Sequence, residues 1–386
     1  MVQYLLKEED TMFKFNLRLG GLLAVLMLSV LLVACGDATS TPAATTAAVA
    51  TTTVAAAATT TQAVGAASPA VVDSGSNAVT VAGQINSALP KLAKKDKYRV
   101  GFAQSESDNP WRLAQTASMK AEATRLGYDL VMTDAGGSTA KEVSDVESLI
   151  AQKVDVIFLT PREEKPLAIA VLKAKAANIP LFLIDRNVDQ TQAKPGRDYI
   201  TYIGSDFVKE GQTAGEWLIK ATSDKAKIIE LEGTTGSSPA NDRKKGFDDL
   251  IKTHPNMQII ASQSGNFTRN EGRQTMETLL QAHPEVTAIY AQNDEMAIGA
   301  IAALEAAGRK PGKDIIIVSI DGSKDGIQEI VDGKIGAIVE CNPRFGPVSF
   351  DTMQKYVNGV QLPVQIINVD RFFDSSNAKD LVSTAF

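Results

Sequence analysis

From Tyr98 onward the chain alternates short runs of β-branched and aliphatic residues with longer amphipathic stretches. No other feature narrows its possible folds as far. The pattern predicts strands over 98–103, 128–133, 156–160, 181–185 and 199–204, then over 227–232, 258–264, 288–291, 315–320, 337–341 and 364–370. Helical patterns lie between them, for example over 111–126, 140–152, 211–221, 269–282 and 296–307. A strand apolar at consecutive positions must be covered on both faces, and intervening helices supply both covers. The expected class is therefore α/β, with doubly wound parallel sheets. Eleven strands are too many for one sheet of this type, so two lobes of five or six strands are expected.

The chain before Tyr98 is different in kind. No aromatic residue occurs between Phe15 and Tyr98, and no basic one between Arg18 and Lys91. Leu19 to Ala34 is a run of sixteen nearly all apolar residues, preceded by Lys14 and Arg18. A membrane-spanning helix needs about 20 such residues; the shorter run fits the apolar part of a secretory signal. It closes on Leu32-Val33-Ala34-Cys35-Gly36, which resembles a bacterial lipobox. Residues 1–35 are thus expected to be a lipoprotein signal peptide, with Cys35 the lipidated residue. The acidic stretch Lys7-Glu8-Glu9-Asp10 sits poorly ahead of such a signal, so Met12 is the expected start. Residues 36–96, rich in Ala and Thr, bury too little apolar surface to offset ordering entropy and are expected to form a disordered tether.

Composition removes several function classes. The formal net charge is -6, against the basic excess usual in nucleic-acid binders. Two cysteines exclude a disulfide-stapled scaffold, and two histidines leave little for a metal centre. No G-x-S-x-G elbow, Walker A loop or strand-end G-x-G-x-x-G is present. His254 and His283 each precede a proline in a helix-to-strand turn and read as surface residues. Cys341 reads as a buried packing residue at a strand end, or as one that lines a pocket.

In doubly wound sheets a ligand sits outside the carboxyl ends of the strands. The residues there are Gln104 to Arg112, Asp185-Arg186-Asn187, Gly233 to Gly236 with Asp242-Arg243, Gly265-Asn266-Phe267, Gln292 to Glu295, and Asp321-Gly322. Each Asp, Asn or Ser could be only a cap or a turn former. Arg112, Arg186 and Arg243 are not favoured caps, however, and Trp111 opens a helix. Carboxylates, amides and guanidinium groups are what a polyhydroxylated ligand needs, since a hydroxyl both donates and accepts. Trp111 and Phe267 could stack on its C–H faces.

These residues resemble those of the periplasmic sugar-binding proteins of ABC importers, the branch that contains ribose-binding protein. The resemblance runs from about Tyr98 to Asp370. It is carried by Ala291 to Ala300, by Leu183-Ile184-Asp185-Arg186 and by Ser319-Ile320-Asp321-Gly322. Glu230 to Thr234, Asp242 to Phe247, Ser262 to Arg269 and the pair Trp111-Arg112 are similar to the galactofuranose-binding branch. Asp108-Asn109-Pro110 is nearer the ribose type.

The resemblance implies a two-lobed clamp joined by three crossovers, near Ser205, Asn342 and Asp370. Lobe one is then 97–204 plus 343–369, and lobe two 205–342 plus 370–386. It implies ligand contacts from Ser107, Asp108, Asn109, Trp111, Arg112, Asp185, Arg186, Arg243, Phe267, Asn293 and Asp321, with Asp242 a weaker candidate. It implies a monomer that binds a monosaccharide, galactofuranose or a related aldose, and passes it unchanged to a permease and its ATPase. Neither a cofactor nor catalysis is expected. A sensor that presents sugar to a membrane receptor is the alternative reading.

Overall fold

The apolar runs do become strands. The structure is a computed structural model and describes residues 78–81 and 89–386. In chain order the strands begin with β1 (Ala78–Val81), β2 (Arg99–Gln104), β3 (Asp129–Asp134), β4 (Val156–Leu159), β5 (Leu181–Ile184) and β6 (Tyr202–Gly204). They continue with β7 (Ala226–Glu232), β8 (Met257–Ser264), β9 (Ala288–Ala291), β10 (Ile316–Asp321) and β11 (Ala337–Glu340), and end with β12 (Gln365–Asn368) and β13 (Phe372–Asp374).

Two sheets result, ordered β1-β12-β6-β5-β4-β2-β3 and β13-β11-β10-β9-β7-β8. Every neighbouring pair is parallel except β1 with β12 and β11 with β13. The central strands β4, β5, β9 and β11 are buried at every position. Their sequences, apolar throughout apart from Glu340 at the end of β11, follow from that double cover. The α/β expectation is borne out.

Each of the eleven expected strands is present, and two edge strands are added. β1 lies within the stretch expected to be a disordered tether, most of which falls outside the described residues. Its backbone pairs antiparallel with β12, and Leu89 and Leu92 beyond it are buried. An uncovered β12 would present a row of unpaired amides and carbonyls. The short Val79-Thr80-Val81 run suits a strand, but an Ala- and Thr-rich background hides it. Residues 1–77, including the signal segment and Cys35, lie outside the described residues. No described helix is long and apolar enough to cross a membrane.

The chain passes between the sheets three times: after β6, after β11 and after β12. Side chains tie these passages together. The Asn342 amide donates to Asp370 Oδ1 at 3.1 Å, and Ser205 Oγ lies 3.7 Å from Cys341 Sγ. Two helices of the second half, Phe207–Ala221 and Ser238–Ile251, cross with their backbones in contact at Gly211 and Gly246. A Cβ on Gly246 would stand 2.0 Å from the Val208 carbonyl oxygen, and one on Gly211 2.2 Å from that of Arg243.

Candidate functional site

The strand ends of both sheets converge on one cavity. The first half supplies Asn109, Trp111 and Arg112 from beyond β2, and Asp185 and Arg186 from beyond β5. The second half supplies Pro239 and Arg243 from beyond β7, Phe267 from beyond β8, Asn293 from beyond β9 and Asp321 at the end of β10. Cys341, at the second passage between the sheets, completes the wall.

Local backbone geometry aims several of these side chains. Asp185, Phe267 and Asp321 all have positive φ, at 64°, 62° and 128°. For residues with a Cβ such conformations cost about 1–3 kcal/mol each and persist only where tertiary contacts impose them. The contacts are present. Tyr202 Oη donates to the Asp185 carbonyl at 2.6 Å, and the Cys341 amide donates to that of Asp321 at 3.0 Å. Phe267 is seated against Gly233, where a Cβ would meet the ring at 1.9 Å.

The two asparagines act both as helix caps and as cavity walls. Asn109 Oδ1 caps its helix by accepting from the Arg112 amide at 2.9 Å, and Asn293 Oδ1 accepts from the Met296 amide at 3.0 Å. Asn109 Nδ2 gives one hydrogen to Asp108, and Asn293 Nδ2 gives one to the Phe267 carbonyl. A second amide hydrogen on each remains for a ligand.

The three arginines are fully desolvated, and each is paired. Arg112 Nη1 donates to Asp185 Oδ2 at 2.6 Å. Arg186 Nη2 donates to Glu106 Oε1 at 2.9 Å. Arg243 Nε donates to Glu210 Oε2 at 2.7 Å, and its Nη2 lies 3.5 Å from Asp321 Oδ1. Burial opposes the Glu106 charge, but Arg186, Arg112 and Arg162 together outweigh it and hold the carboxyl at about 2. Burial pushes Glu210 up to about 7 against the pull of Arg243, and it raises Asp321 and the Cys341 thiol well above their ordinary ranges. Buried Arg186 Nε makes no hydrogen bond among the described residues; its ionic contact with Asp185 Oδ2 is 3.9 Å long. Such orphans are rare and call for an explanation.

Both aromatic walls are already in contact with cations. The Arg112 guanidinium sits 4.7 Å from the Trp111 ring centre, and Phe267 has Arg186 and Arg243 each at 5.7 Å. Trp111 Nε1 donates to the Cys341 carbonyl at 2.7 Å, which ties the first half's wall to the passage between the sheets. The two halves also touch at the rim. The Glu164 amide donates to the Gly236 carbonyl at 2.9 Å, the Asn187 amide to Ser238 Oγ at 2.8 Å, and Asn241 Nδ2 to Glu164 Oε2 at 2.6 Å.

Three expected residues are not brought to the cavity. Ser107 and Asp108 are exposed, because the loop turns outward before Asn109 caps the helix. Asp242 is half-buried on a different face of the Arg243 helix, where burial and the nearby Glu164 and Asp206 push its carboxyl up to about 6. Glu106 and Glu210 carry no expectation from the sequence. Glu106 is one polar residue among many in the loop after β2. Glu210 shares a four-residue spacing with Ala214 and Leu218 on the buried stripe of its helix, a placement that a solvated acid would not take. Cys341 proves to line the cavity, and it is a free thiol.

Behind the cavity, Glu142 Oε2 accepts from the Arg162 amide at 2.9 Å, while its Oε1 has no partner among the described residues. Burial pushes this carboxyl up to about 8, and Asp294 up to about 6. A carboxyl raised on folding contributes stability that is complete below its unfolded value and lost as pH rises through the folded one. Glu142, Glu210 and Asp294 all act in this sense; Glu106 acts oppositely, but only toward about pH 2. The melting temperature is therefore expected to fall between about pH 5 and about pH 8.5. Glu142→Gln should flatten the upper part of that decline. A melting temperature that rises with pH, or a decline untouched by the substitution, would contradict this account.

Among the described residues no cluster of His, Cys, Asp and Glu could hold a metal ion.

A family model described as the periplasmic binding protein domain matches residues 100–361. The galactofuranose-binding protein of Escherichia coli K12 is 38% identical over 286 residues, 73% of this chain and 89% of the relative. Among solved structures, the periplasmic binding component of the arabinose ABC transporter from Shewanella sp. ANA-3, bound to α- and β-L-arabinofuranose, is 38% identical with a TM-score of 0.71. The match covers 74% of this chain and 94% of that one. A Mycobacterium smegmatis protein in complex with β-D-fucofuranose is 42% identical with a TM-score of 0.70, over 74% of this chain and 93% of its own.

Proposed function

This chain belongs to the periplasmic binding protein family, and from that premise and the geometry of the cleft we propose that it is the extracytoplasmic solute-binding component of an ABC sugar importer. Its ligand is a neutral monosaccharide in furanose form, galactofuranose or a related aldose. The observation that carries this reading is a small cavity between two halves, lined by paired arginines, in which Arg186 Nε makes no hydrogen bond among the described residues. Each guanidinium already has a carboxyl partner, so the site favours hydroxyl groups over a charged ligand. The relatives named for galactofuranose, arabinofuranose and fucofuranose support the ring form.

Binding proceeds by closure. The sugar first meets Asn109, Arg112, Asp185 and Arg186 on the first half. The second half then brings Arg243, Asn293 and Asp321 to the remaining hydroxyls. A ligand shifts such an equilibrium only through its differential contacts with the two states, and a sugar held by both halves supplies them. The closed form is the one offered to a permease. The lipobox-like Leu32 to Gly36 supports a lipid anchor at Cys35, with the intervening segment as a tether.

A thermal-shift panel tests the ligand. L-Arabinose, D-galactose and D-fucose, which reach their furanose forms at equilibrium, are expected to stabilise the protein by an amount that grows with the logarithm of concentration above the dissociation constant. At about 100 times the dissociation constant the gain is about 2.7 kcal/mol, or about 5–10 °C. Methyl D-galactopyranoside, locked in the six-membered ring, should leave the melting temperature unmoved. No stabilisation by any aldose would sink the reading. In the native host, Cys35→Ser should release the protein from the membrane fraction; persistence there would remove the anchor.

A further inference from the structure

The structure assigns Glu106, which does not itself line the cavity, as the residue that sets the charge specificity of the site. This rests on the proposed sugar-binding reading and goes beyond it: Glu106 makes the pocket reject acidic sugars such as hexuronates while it positions the donors for neutral ones.

Three arginines meet at this point of the fold. Arg112 and Arg186 lie side by side beyond the ends of β2 and β5, and Arg162 stands directly behind them. Three guanidinium groups so close would make an anion site, since a carboxylate accepts bidentate donors from arginine better than any neutral group does. Glu106 occupies the point where the three converge. Its Oε1 accepts from Arg186 Nη2 at 2.9 Å and lies 3.4 Å from Arg112 Nε. Its Oε2 pairs with Arg162 Nη1. One internal carboxylate thus takes the place that a ligand carboxylate would claim.

The same contacts orient the donors. With one hydrogen of Nη2 given to Glu106 and one of Nη1 to the Arg162 carbonyl at 3.3 Å, the guanidinium is fixed in orientation, and its Nε makes no hydrogen bond among the described residues. Burial strengthens the effect. Glu106 is 3% exposed and Arg186 2% exposed, so little water screens the charges. A second carboxylate brought in on a hexuronate would meet Glu106 through this poorly screened space.

The loop after β2 also carries Ser107 and Asp108 in the open, while Glu106 alone of the three turns inward. Glu106 is therefore a positioning residue that acts through Arg112 and Arg186.

Affinities for D-galactose and D-galacturonate, measured calorimetrically on the wild type, Glu106→Gln, Glu106→Asp and Arg162→Leu, test the assignment. The wild type is expected to bind galactose and to show no measurable uronate binding. Glu106→Gln should lower galactose affinity and raise uronate affinity, moving their ratio at least about tenfold toward the acid. Glu106→Asp keeps the charge and should keep the rejection. Arg162→Leu, at a half-buried position behind the site, should leave the rejection intact or sharpen it, and it decides the matter if Glu106→Gln does not fold. A ratio unchanged in Glu106→Gln, or relaxed in Arg162→Leu, would overturn the assignment and reduce Glu106 to a structural ion-pair partner. Failure of the wild type to bind galactose or any aldose of the panel would instead overturn the sugar reading, and the assignment with it.

Discussion

Replacing Arg186 with methionine is expected to weaken sugar binding about 100-fold. The substitution keeps the apolar stem of the side chain and removes the guanidinium with its donors. A hydrogen bond from a charged group contributes about 1.5–3 kcal/mol, which is roughly 10- to 150-fold in affinity. Arg186 is placed at the upper end because its buried Nε makes no hydrogen bond among the described residues. Glu106 keeps Arg112 and Arg162 as partners, so the fold should lose much less than the binding does. Arg186→Lys should rescue little, since an ammonium group replaces a planar fork with a single point charge. Titration calorimetry against L-arabinose and D-galactose, beside thermal melts of the ligand-free proteins, separates the two effects. Affinities within about threefold of the wild type would remove Arg186 from the site.

A single methyl group at Gly246 is expected to damage both stability and binding. The added Cβ would lie 2.0 Å from the Val208 carbonyl oxygen and 2.9 Å from its carbon. These are backbone atoms, so no rotamer change relieves the clash, and the two helices must separate. Overpacking of this kind costs about 1–3 kcal/mol and at times more. For a body of this size the melting temperature should fall by roughly 2–4 °C per kcal/mol. Arg243 lies on the same helix and meets Glu210 on the facing one, so separation should also loosen the second half's grip on the ligand. Gly246→Ala should therefore lower the melting temperature by about 5 °C or more and weaken sugar binding in the folded protein. Gly127→Ala serves as a control for loss of a glycine, because a methyl group added there would have nothing within 4 Å. It should lower stability only through its left-handed backbone. Equal melting temperatures for wild type and Gly246→Ala would refute the close crossing.

Much of the site is legible in the sequence alone, because parallel sheets confine ligands to strand ends. Asn109, Trp111, Arg112, Asp185, Arg186, Arg243, Phe267, Asn293 and Asp321 all lie in those strand-end segments, the family resemblance singles them out there, and all line the cavity. Ser107, Asp108 and Asp242 satisfy the same rule in sequence and fail it in space. Which way a residue turns in a loop, or on the first turns of a helix, depends on what packs against it. Glu106 and Glu210 escape sequence reasoning for the converse reason. An acid in a loop or near a helix start ordinarily faces water, and only the guanidinium groups of distant segments draw these two inward.

The edge strands show the same distinction. The interior runs announce themselves because burial on two faces demands continuous apolar sequence, while β3 and β8, also at edges, are long enough to be read, at six and eight residues. β1 and β13 are short and lie at edges, where a strand forms because a neighbour offers an unpaired backbone. What the amino-acid sequence determined by itself was the alternation of elements, the two-sheet α/β class and the polar strand ends, since these follow from local periodicity. What the tertiary structure decided was the pairing of charges. Arg112 with Asp185, Arg186 with Glu106 and Arg243 with Glu210 join residues 73, 80 and 33 positions apart. Electrostatic partners in a buried site are chosen by distance in space, and only the fold sets that distance.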